Sequence, residues 1–101
     1  MDEPLHVWVY ILRCADGSYY TGSTKRHPEA REWEHNQGFV PGYTHSRRPV
    51  TLVYAQYSER LIEGFARERQ IKGWSRAKKE ALVREDWRAL VELARSKPTH
   101  L

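Results

Sequence analysis

The chain of 101 residues contains one cysteine, Cys14, and lacks any apolar segment of the length, about 20 residues, that a helix needs to span a bilayer. A single cysteine excludes an intramolecular disulfide and every metal site built from several cysteines. No base is placed to activate its thiol, so Cys14 is interpreted as apolar packing rather than as a nucleophile. The N-terminus shows no basic leader or cleavage site, and we expect a cytoplasmic protein without membrane association.

Internal repeats, low-complexity tracts and linkers are also absent from the sequence. Apolar residues make up 40% of the chain and charged residues 30%, with four Trp and six Tyr, which is too aromatic for a disordered protein. A chain of this length has room for one hydrophobic core, and we expect one domain. No spacing typical of a zinc site occurs among the histidines, which are His6, His27, His35, His45 and His100.

Positive charge is in excess and is unevenly placed. Seventeen Lys and Arg residues against thirteen Asp and Glu give a net charge of +4. Most of the excess lies between residues 67 and 84, which hold Arg67, Arg69, Lys72, Arg76, Lys78, Lys79 and Arg84 against two acids, Glu68 and Glu80. Such a segment attracts phosphate backbones or anionic lipid. The alternative interpretation is a solvated helical face without a partner.

A β-hairpin is predicted near the N-terminus. Residues 6–13 are rich in β-branched and aromatic side chains, the Asp-Gly pair at positions 16 and 17 is typical of a tight turn, and residues 19–23 form the returning strand. Pro28 suits the first turn of a helix that ends at Gly38. Residues 39–49 contain two prolines and a glycine, which predicts a loop, and residues 50–57 form a third strand.

Three further helices complete the prediction. Ser58 is expected to cap a helix that runs to about Lys72 and buries the apolar residues Leu61, Ile62, Phe65 and Ala66. Ser75 caps the next helix, and the last runs from Trp87 and ends at the Lys97-Pro98 pair. The expected fold is α+β, a small three-stranded antiparallel sheet flanked by helices in the order ββαβααα.

Two tyrosines of the hairpin are candidates for a site. Tyr10 and Tyr20 lie on adjacent antiparallel strands at positions of like parity and can therefore share one face. Tyrosine is also common packing material in strands, so a role in the core is the alternative. Gly22 lacks a side chain and either admits a close approach to the backbone or marks a bulge.

Charged residues on two predicted helices are further candidates. Arg31 and His35 are separated by four residues and share a helix face, whereas Ala30 and Trp33 are expected to form the apolar side. An unoccupied surface pair is the alternative interpretation. Glu68 flanks the apolar stripe of its helix, and its carboxylate is either an ion-pair partner of nearby cations or a ligand for Mg²⁺.

Taken together, the segments VYILRCADGSYYTGST, REWEH, GYTHSRRPVTLVY and ARERQIKGWSRAKKEALV resemble the GIY-YIG nuclease superfamily, in its small stand-alone bacterial UPF0213 branch. Trp8 and Val9 stand where the first signature has Gly-Ile, and Thr21 replaces the Ile of the second. The resemblance implies one domain over residues 1–101, with a core of about 5–84 and an extra C-terminal helix of about 86–97. It carries the signature positions onto Tyr10, Tyr20, Gly22, Arg31, His35 and Glu68.

The resemblance also implies hydrolysis of DNA phosphodiester bonds with a single Mg²⁺ or Mn²⁺ held by Glu68. Tyr10 is then expected to take or relay a proton with the help of His35, while Arg31 clamps the phosphoryl oxygens and Tyr20 orients the reactants. A phenol is a poor base near neutral pH. Arg31 and the cation must therefore lower the pKa of Tyr10, or Tyr10 only positions the water.

DNA is the expected partner, in branched, damaged or single-stranded form, and no obligate protein partner is implied. The residues expected to contact its backbone are Arg67, Arg69, Lys72, Arg76, Lys78 and Lys79. The alternative functions are a catalytically idle nucleic-acid-binding module with the same fold, and an adaptor that binds proteins through the last helix.

Overall fold

The computed structural model describes residues 5–95, which form one three-stranded antiparallel sheet and four α-helices. The strands are β1 (Val7–Arg13), β2 (Tyr19–Thr24) and β3 (Thr51–Ser58), and β1 is central in the order β2-β1-β3. The helices are α1 (Pro28–Asn36), α2 (Leu61–Lys72), α3 (Arg76–Val83) and α4 (Trp87–Arg95). The α+β class and the order ββαβααα are therefore confirmed.

The hairpin forms around the predicted Asp-Gly turn. Gly17 has a φ of 85°, which glycine adopts without strain, and the Ser18 hydroxyl donates to the Asp16 carboxylate at 2.6 Å. The register pairs Tyr10 with Gly22 and places Tyr20 two positions along the same face. Because side chains alternate along a strand, the hairpin presents one set of residues to each side of the sheet.

Each side of the sheet carries its own small core. On the side covered by α1, the buried cluster consists of Tyr10, Leu12, Cys14 and Val50. On the side covered by α2 and α3, it consists of Val9, Ile11, Ile71 and Leu82. Burial raises the pKa of the Cys14 thiol, which makes the reactive thiolate scarce and agrees with a packing role.

The apolar face expected for α2 is not the face that it buries. Ile62 is 83% exposed and Phe65 is 39% exposed, whereas Gly64 and Ile71 are buried. A side chain at Gly64 would clash with Val7, so the glycine allows the helix to lie directly against β1. The close contact of Gly64 with β1, rather than the position of the largest apolar residues, therefore determines which face of α2 packs on the sheet.

The prediction that Ser58 caps α2 is also wrong. Ser58 is the last residue of β3, and the N-cap position belongs to Arg60, which makes no side-chain capping bond. The Ser58 hydroxyl donates instead to the Arg60 carbonyl at 2.9 Å. Ser58 thus stabilises the turn between β3 and α2 and does not cap the helix itself.

Helix α1 starts at Pro28 and is followed by Gly38 with a φ of 80°, as predicted, but its apolar side faces outward. Trp33 is 56% exposed and packs edge-on against Phe39, with ring centroids 5.6 Å apart. His35 is instead fully buried. The face of α1 that carries His35 points inward because hydrogen-bond partners for its imidazole lie on that side.

The remaining helices follow the sequence closely. The Ser75 side chain accepts from the Lys78 backbone N–H at 3.2 Å and caps α3, as predicted. Asp86 caps α4 in the same way through the Ala89 N–H at 3.0 Å. The predicted end of α4 at the Lys97-Pro98 pair lies outside the described residues. None of the helices within residues 5–95 has the length and apolar character of a membrane span.

Candidate active site

Tyr10 and Tyr20 face the same side of the sheet, beneath α1. Their ring centroids lie 6.4 Å apart, and Tyr10 is 1% exposed. A Cβ atom at Gly22 would lie 2.6 Å from the Tyr10 hydroxyl oxygen and 2.8 Å from its Cζ. Only glycine at this position of β2 leaves room for the Tyr10 ring, so Gly22 provides the close approach that its lack of a side chain allows.

Helix α1 brings Arg31 and His35 to the phenol of Tyr10. His35 Nε2 lies 3.1 Å from the Tyr10 hydroxyl oxygen, and Arg31 lies close enough to the same phenol to act on its pKa. The spacing of four residues places both side chains on one face, as the sequence predicts. A phenol, an imidazole and a guanidinium are therefore neighbours in this site.

Thr44 contributes to this site from the loop that precedes β3. Its Oγ1 lies 2.7 Å from His35 Nδ1, and Thr44 is 1% exposed. Both ring nitrogens of the buried imidazole are thereby paired, one to Tyr10 and one to Thr44. Sequence reasoning missed Thr44 because nothing in a loop rich in Pro and Gly distinguishes a threonine that contacts a residue nine positions earlier.

A layer of stacked side chains extends from His35 through Tyr20 and Tyr43 to Arg47. The Tyr20 and His35 ring centroids are 5.3 Å apart, and Tyr43 stacks on Tyr20 at 6.2 Å with an interplanar angle of 21°. The Arg47 Cζ lies 3.8 Å above the Tyr43 ring. Arg47 also donates to the Asp16 carboxylate at 3.2 Å, which ties this loop to the hairpin turn.

Arg31 is oriented by acidic neighbours but keeps one donor available. Its Nη1 donates to Glu34 Oε1 at 3.0 Å, and Glu34 also pairs with Arg26. Arg31 Nε is buried and has no hydrogen-bond partner among residues 5–95. An unpaired buried N–H is costly, and an oxygen of a bound anion is the acceptor that such a group lacks.

Glu68 lies on the buried side of α2, on the turn between Gly64 and Ile71. Its side chain is 17% exposed, and its Oε2 lies 3.2 Å from Lys72 Nζ. It lines a hollow of about 290 Å³ together with Phe65, Arg69 and Lys72. The Glu68 charge is close enough to Tyr10 to raise the pKa of its phenol. The electrostatic influence of Glu68 therefore reaches Tyr10, although α2 packs on the Val9 and Ile11 side of the sheet.

The protonation states of Tyr10 and His35 follow from burial. Burial raises the pKa of Tyr10 to about 12, with smaller contributions from Tyr20 and Glu68, and Arg31 opposes the shift. Burial, followed by the charge of Arg31, lowers the pKa of His35 to about 4. Arg31 acts in the expected direction, but desolvation is the larger effect in the protein alone, and the joint effect of Arg31 and a bound cation on the pKa of Tyr10 stays a prediction. Near neutral pH both groups are uncharged.

The donor set around Glu68 determines which metal it suits. Within residues 5–95 there is no group of three or more His, Cys, Asp or Glu side chains that could hold a metal ion. Zinc sites require such a group, whereas Mg²⁺ is commonly held by one or two carboxylates with waters and substrate phosphates. The single carboxylate of Glu68 is therefore a candidate ligand for Mg²⁺ or Mn²⁺ bound together with a phosphate.

The structure divides the cationic residues predicted to contact DNA. Arg67 and Lys78 lie against Trp74, with the Arg67 Cζ 5.2 Å and the Lys78 Nζ 4.8 Å from the ring centroid. Trp74 packs on the core that contains Val9 and Ile11, which face away from Tyr10. These two cations therefore belong to the opposite side of the sheet from the tyrosine pair.

The other cations occupy different places. Arg76 donates to the Gly17 carbonyl at 2.7 Å and to Glu80 at 3.0 Å, so it holds α3 to the hairpin turn. Arg69 and Lys72 line the hollow beside Glu68. Burial and the charge of Lys72 lower the pKa of Lys79, which places Lys79 close to Lys72. Arg69 and Lys72 are thus the cations that share a hollow with Glu68.

Comparisons with known proteins identify the family of this chain. Residues 6–81 match the family of the GIY-YIG catalytic domain. A UPF0213 protein of Staphylococcus aureus is 46% identical over 78 residues, which cover 77% of this chain and 94% of that protein. The solution NMR structure of a UPF0213 protein of Bacillus halodurans matches at 40% identity and a TM-score of 0.51, covering 77% of this chain and 82% of that one.

A second solution NMR structure, of a protein from E. faecalis, covers 100% of this chain and 98% of that one, with 30% identity and a TM-score of 0.54. The family match spans both tyrosines, α1 and α2. The chain therefore belongs to the GIY-YIG family of nuclease domains, in the UPF0213 branch that its motifs resemble.

Proposed function

We propose that this protein is a divalent-metal-dependent endonuclease that hydrolyses DNA phosphodiester bonds in DNA repair or turnover. The observation that carries the proposal is the buried contact of 3.1 Å between the Tyr10 hydroxyl and His35, with the unpaired Nε of Arg31 in the same site. Membership of a nuclease family supports the same class of reaction. A hydroxyl, a neutral imidazole and a free guanidinium donor are the groups that phosphodiester hydrolysis uses.

Tyr10 and His35 handle the proton of the attacking water. Because the pKa of Tyr10 is raised to about 12, the phenol is protonated near neutral pH and is not itself the base. It accepts the proton of the water while passing its own to His35 Nε2, so that one proton moves in and one moves out. The negative charge of a bound phosphate favours the imidazolium that results and offsets the effect of burial.

Arg31 holds the phosphoryl group. Its guanidinium carries a permanent charge and several donors in one plane, which suits two phosphate oxygens at once. Glu34 fixes the position of the Nη1 end at 3.0 Å and leaves Nε for the substrate. Since charge builds on the phosphoryl oxygens in the transition state, this contact strengthens as the reaction proceeds.

Glu68 holds the metal ion in this proposal. When bound, Mg²⁺ or Mn²⁺ polarises the phosphodiester and stabilises charge on its oxygens. Glu68, whose present partner is the Lys72 ammonium at 3.2 Å, would supply the carboxylate oxygens that hold the ion. Lys72 and Arg69 then meet the DNA backbone next to the cleaved bond and supply affinity that depends on salt but not on sequence.

Nicking of supercoiled plasmid DNA by the purified protein tests the proposal. We expect cleavage with Mg²⁺ or Mn²⁺, no cleavage by the Glu68→Ala variant, and a large loss for Tyr10→Phe and Arg31→Ala. Glu63→Ala is the matched control, because Glu63 lies on the same helix with its side chain 68% exposed. Branched, damaged and single-stranded substrates compared in the same assay identify the preferred form of DNA.

Binding of Mn²⁺ gives a readout that does not require turnover. Electron paramagnetic resonance should detect protein-bound Mn²⁺ in the wild type and in Glu63→Ala, and none in Glu68→Ala. Full activity of Glu68→Ala would show that the metal assignment is wrong. DNA binding without any cleavage would instead favour an idle nucleic-acid-binding module with the same fold.

A further inference from the structure

The buried imidazole of His35 has two hydroxyl partners, and only one arrangement of hydrogens satisfies both with the surrounding groups. His35 is fully buried, with Nε2 at 3.1 Å from the Tyr10 hydroxyl and Nδ1 at 2.7 Å from Thr44 Oγ1. A neutral imidazole carries one N–H, so one nitrogen donates and the other accepts. A hydroxyl group can donate or accept a hydrogen bond, so a third group must determine which ring nitrogen carries the hydrogen.

Arg31 determines the direction of the hydrogen bond between Tyr10 and His35. Its positive charge acts on the Tyr10 phenol, and a guanidinium has no acceptor to offer the phenol hydrogen. The lone pairs of the Tyr10 oxygen therefore turn toward Arg31, and its hydrogen is directed to the polar neighbour at 3.1 Å, His35 Nε2. Since His35 is neutral, with a pKa lowered to about 4, its single N–H must then lie on Nδ1 and point to Thr44.

Thr44 is held firmly enough to receive that hydrogen. It is 1% exposed and immediately follows Tyr43, whose ring stacks on Tyr20 with centroids 6.2 Å apart. Arg47 donates to the Tyr43 carbonyl at 2.8 Å, and its own carbonyl accepts from the Ala15 N–H at 2.9 Å. The segment that carries Thr44 is thus fastened to the hairpin turn by contacts other than its own contact with His35.

We propose that Thr44 is a positioning residue that fixes His35 as the Nδ1–H tautomer and so presents a bare Nε2 to the hydroxyl of Tyr10. Its catalytic meaning rests on the proposed function, because the bare Nε2 is the atom that receives the Tyr10 proton. Without the Thr44 hydroxyl the imidazole gains nothing from keeping its hydrogen on Nδ1. The Nε2–H form then becomes populated, and in that form His35 has no lone pair to offer Tyr10.

Nitrogen NMR of the histidine side chains in the full-length protein tests the tautomer directly. Two-bond and three-bond couplings distinguish an Nδ1–H ring from an Nε2–H ring, and His35→Gln assigns the signal. We expect the Nδ1–H pattern in the wild type, a mixture of both tautomers in Thr44→Val, and the wild-type pattern in Thr44→Ser. An Nε2–H pattern in the wild type overturns the proposal, whether or not Thr44→Val folds.

Steady-state cleavage kinetics provide the second readout. Removal of a group that orients another side chain typically costs about 10-fold to 100-fold in activity, so we expect kcat to fall by about 10-fold or more in Thr44→Val with KM unchanged. Thr44→Ser should recover most of the rate, which a loss of packing alone would not explain. An unchanged kcat in Thr44→Val overturns the role of Thr44. If the wild type cleaves no DNA, the proposed function fails, while the NMR spectrum still decides whether Thr44 fixes the tautomer.

Discussion

The phenol of Tyr10 occupies the space that a side chain in place of Gly22 would need. The two residues are directly paired between β1 and β2, and a Cβ at Gly22 would lie 2.6 Å from the Tyr10 hydroxyl oxygen. Any larger residue at this position must therefore displace the ring from His35 and Arg31. The glycine of the second signature is required by packing against the tyrosine of the first.

Gly22→Ala should therefore destabilise the protein and reduce cleavage beyond the loss in stability. Overpacking of a closed site costs about 1 to 3 kcal/mol, and the displaced phenol loses its contact with His35. Urea unfolding and plasmid nicking at a temperature where the variant is folded measure the two effects separately. Gly73→Ala is the control, because a Cβ there meets its nearest neighbour at 3.7 Å and the backbone has a negative φ. Equal behaviour of the two variants would contradict the role of Gly22.

The hairpin and its tyrosine pair were predictable from local rules. An Asp-Gly turn determines the register of the two strands, and like parity then places Tyr10 and Tyr20 on one face. The α+β class follows from the order of strand and helix patterns. These features depend on residues that are close in sequence, which is why periodicity and turn chemistry predict them.

The inward faces of α1 and α2 were not predictable in this way. Trp33 suggests the buried side of α1, yet it is 56% exposed, because His35 finds Tyr10 and Thr44 as partners on other elements. On α2 the decisive residue is Gly64, which lies against Val7 of β1. Both outcomes depend on contacts between distant segments, and the hydrophobicity of a single helix contains no information about them.

Arg67 and Arg69 should differ in their contribution to DNA binding, although they are two residues apart on α2. Arg69 lines the hollow beside Glu68, whereas Arg67 donates to Gln70 at 2.8 Å and lies over Trp74. Arg69→Gln should weaken binding and reduce the slope of log affinity against log salt by about one unit.

Fluorescence anisotropy with labelled DNA over a series of KCl concentrations, in EDTA to prevent cleavage, measures that slope. Arg67→Gln is the matched variant and should leave the slope nearly unchanged. An equal reduction by both substitutions would mean that DNA also contacts the side of the sheet that carries Trp74, and the division of the cations would then be wrong.

Asn36 should contribute strongly to stability, since its amide replaces a strand partner for Val50. Its Nδ2 donates to the Val50 carbonyl at 2.9 Å, and its Oδ1 accepts from the Val50 N–H at 2.7 Å. Asn36→Ala leaves both backbone groups of a buried residue unpaired, which costs about 1 to 3 kcal/mol. Urea unfolding measures the loss. The neighbouring exposed residue gives the control, and Gln37→Ala should change stability by less than about 0.5 kcal/mol.

His35 should make the stability of the protein depend on pH in the mildly acidic range. Its pKa in the folded protein is lowered to about 4 from an ordinary value of 6.5, because burial and Arg31 disfavour the charged ring. Between these two values the unfolded chain binds a proton that the folded protein does not. The stabilisation from a neutral His35 is therefore complete above pH 6.5 and is lost progressively as the pH falls toward 4.

The loss between these limits should amount to no more than about 3.5 kcal/mol, since each pKa unit between 6.5 and about 4 corresponds to about 1.4 kcal/mol. Urea unfolding at several pH values measures it, and the His35→Gln variant serves as the reference because its side chain does not titrate. The variant should be less stable than the wild type at pH 7, because glutamine cannot reproduce both imidazole contacts. It should nevertheless lose less stability on acidification, so that the two curves converge as the pH approaches 4. Parallel curves would show that the acid sensitivity comes from groups other than His35.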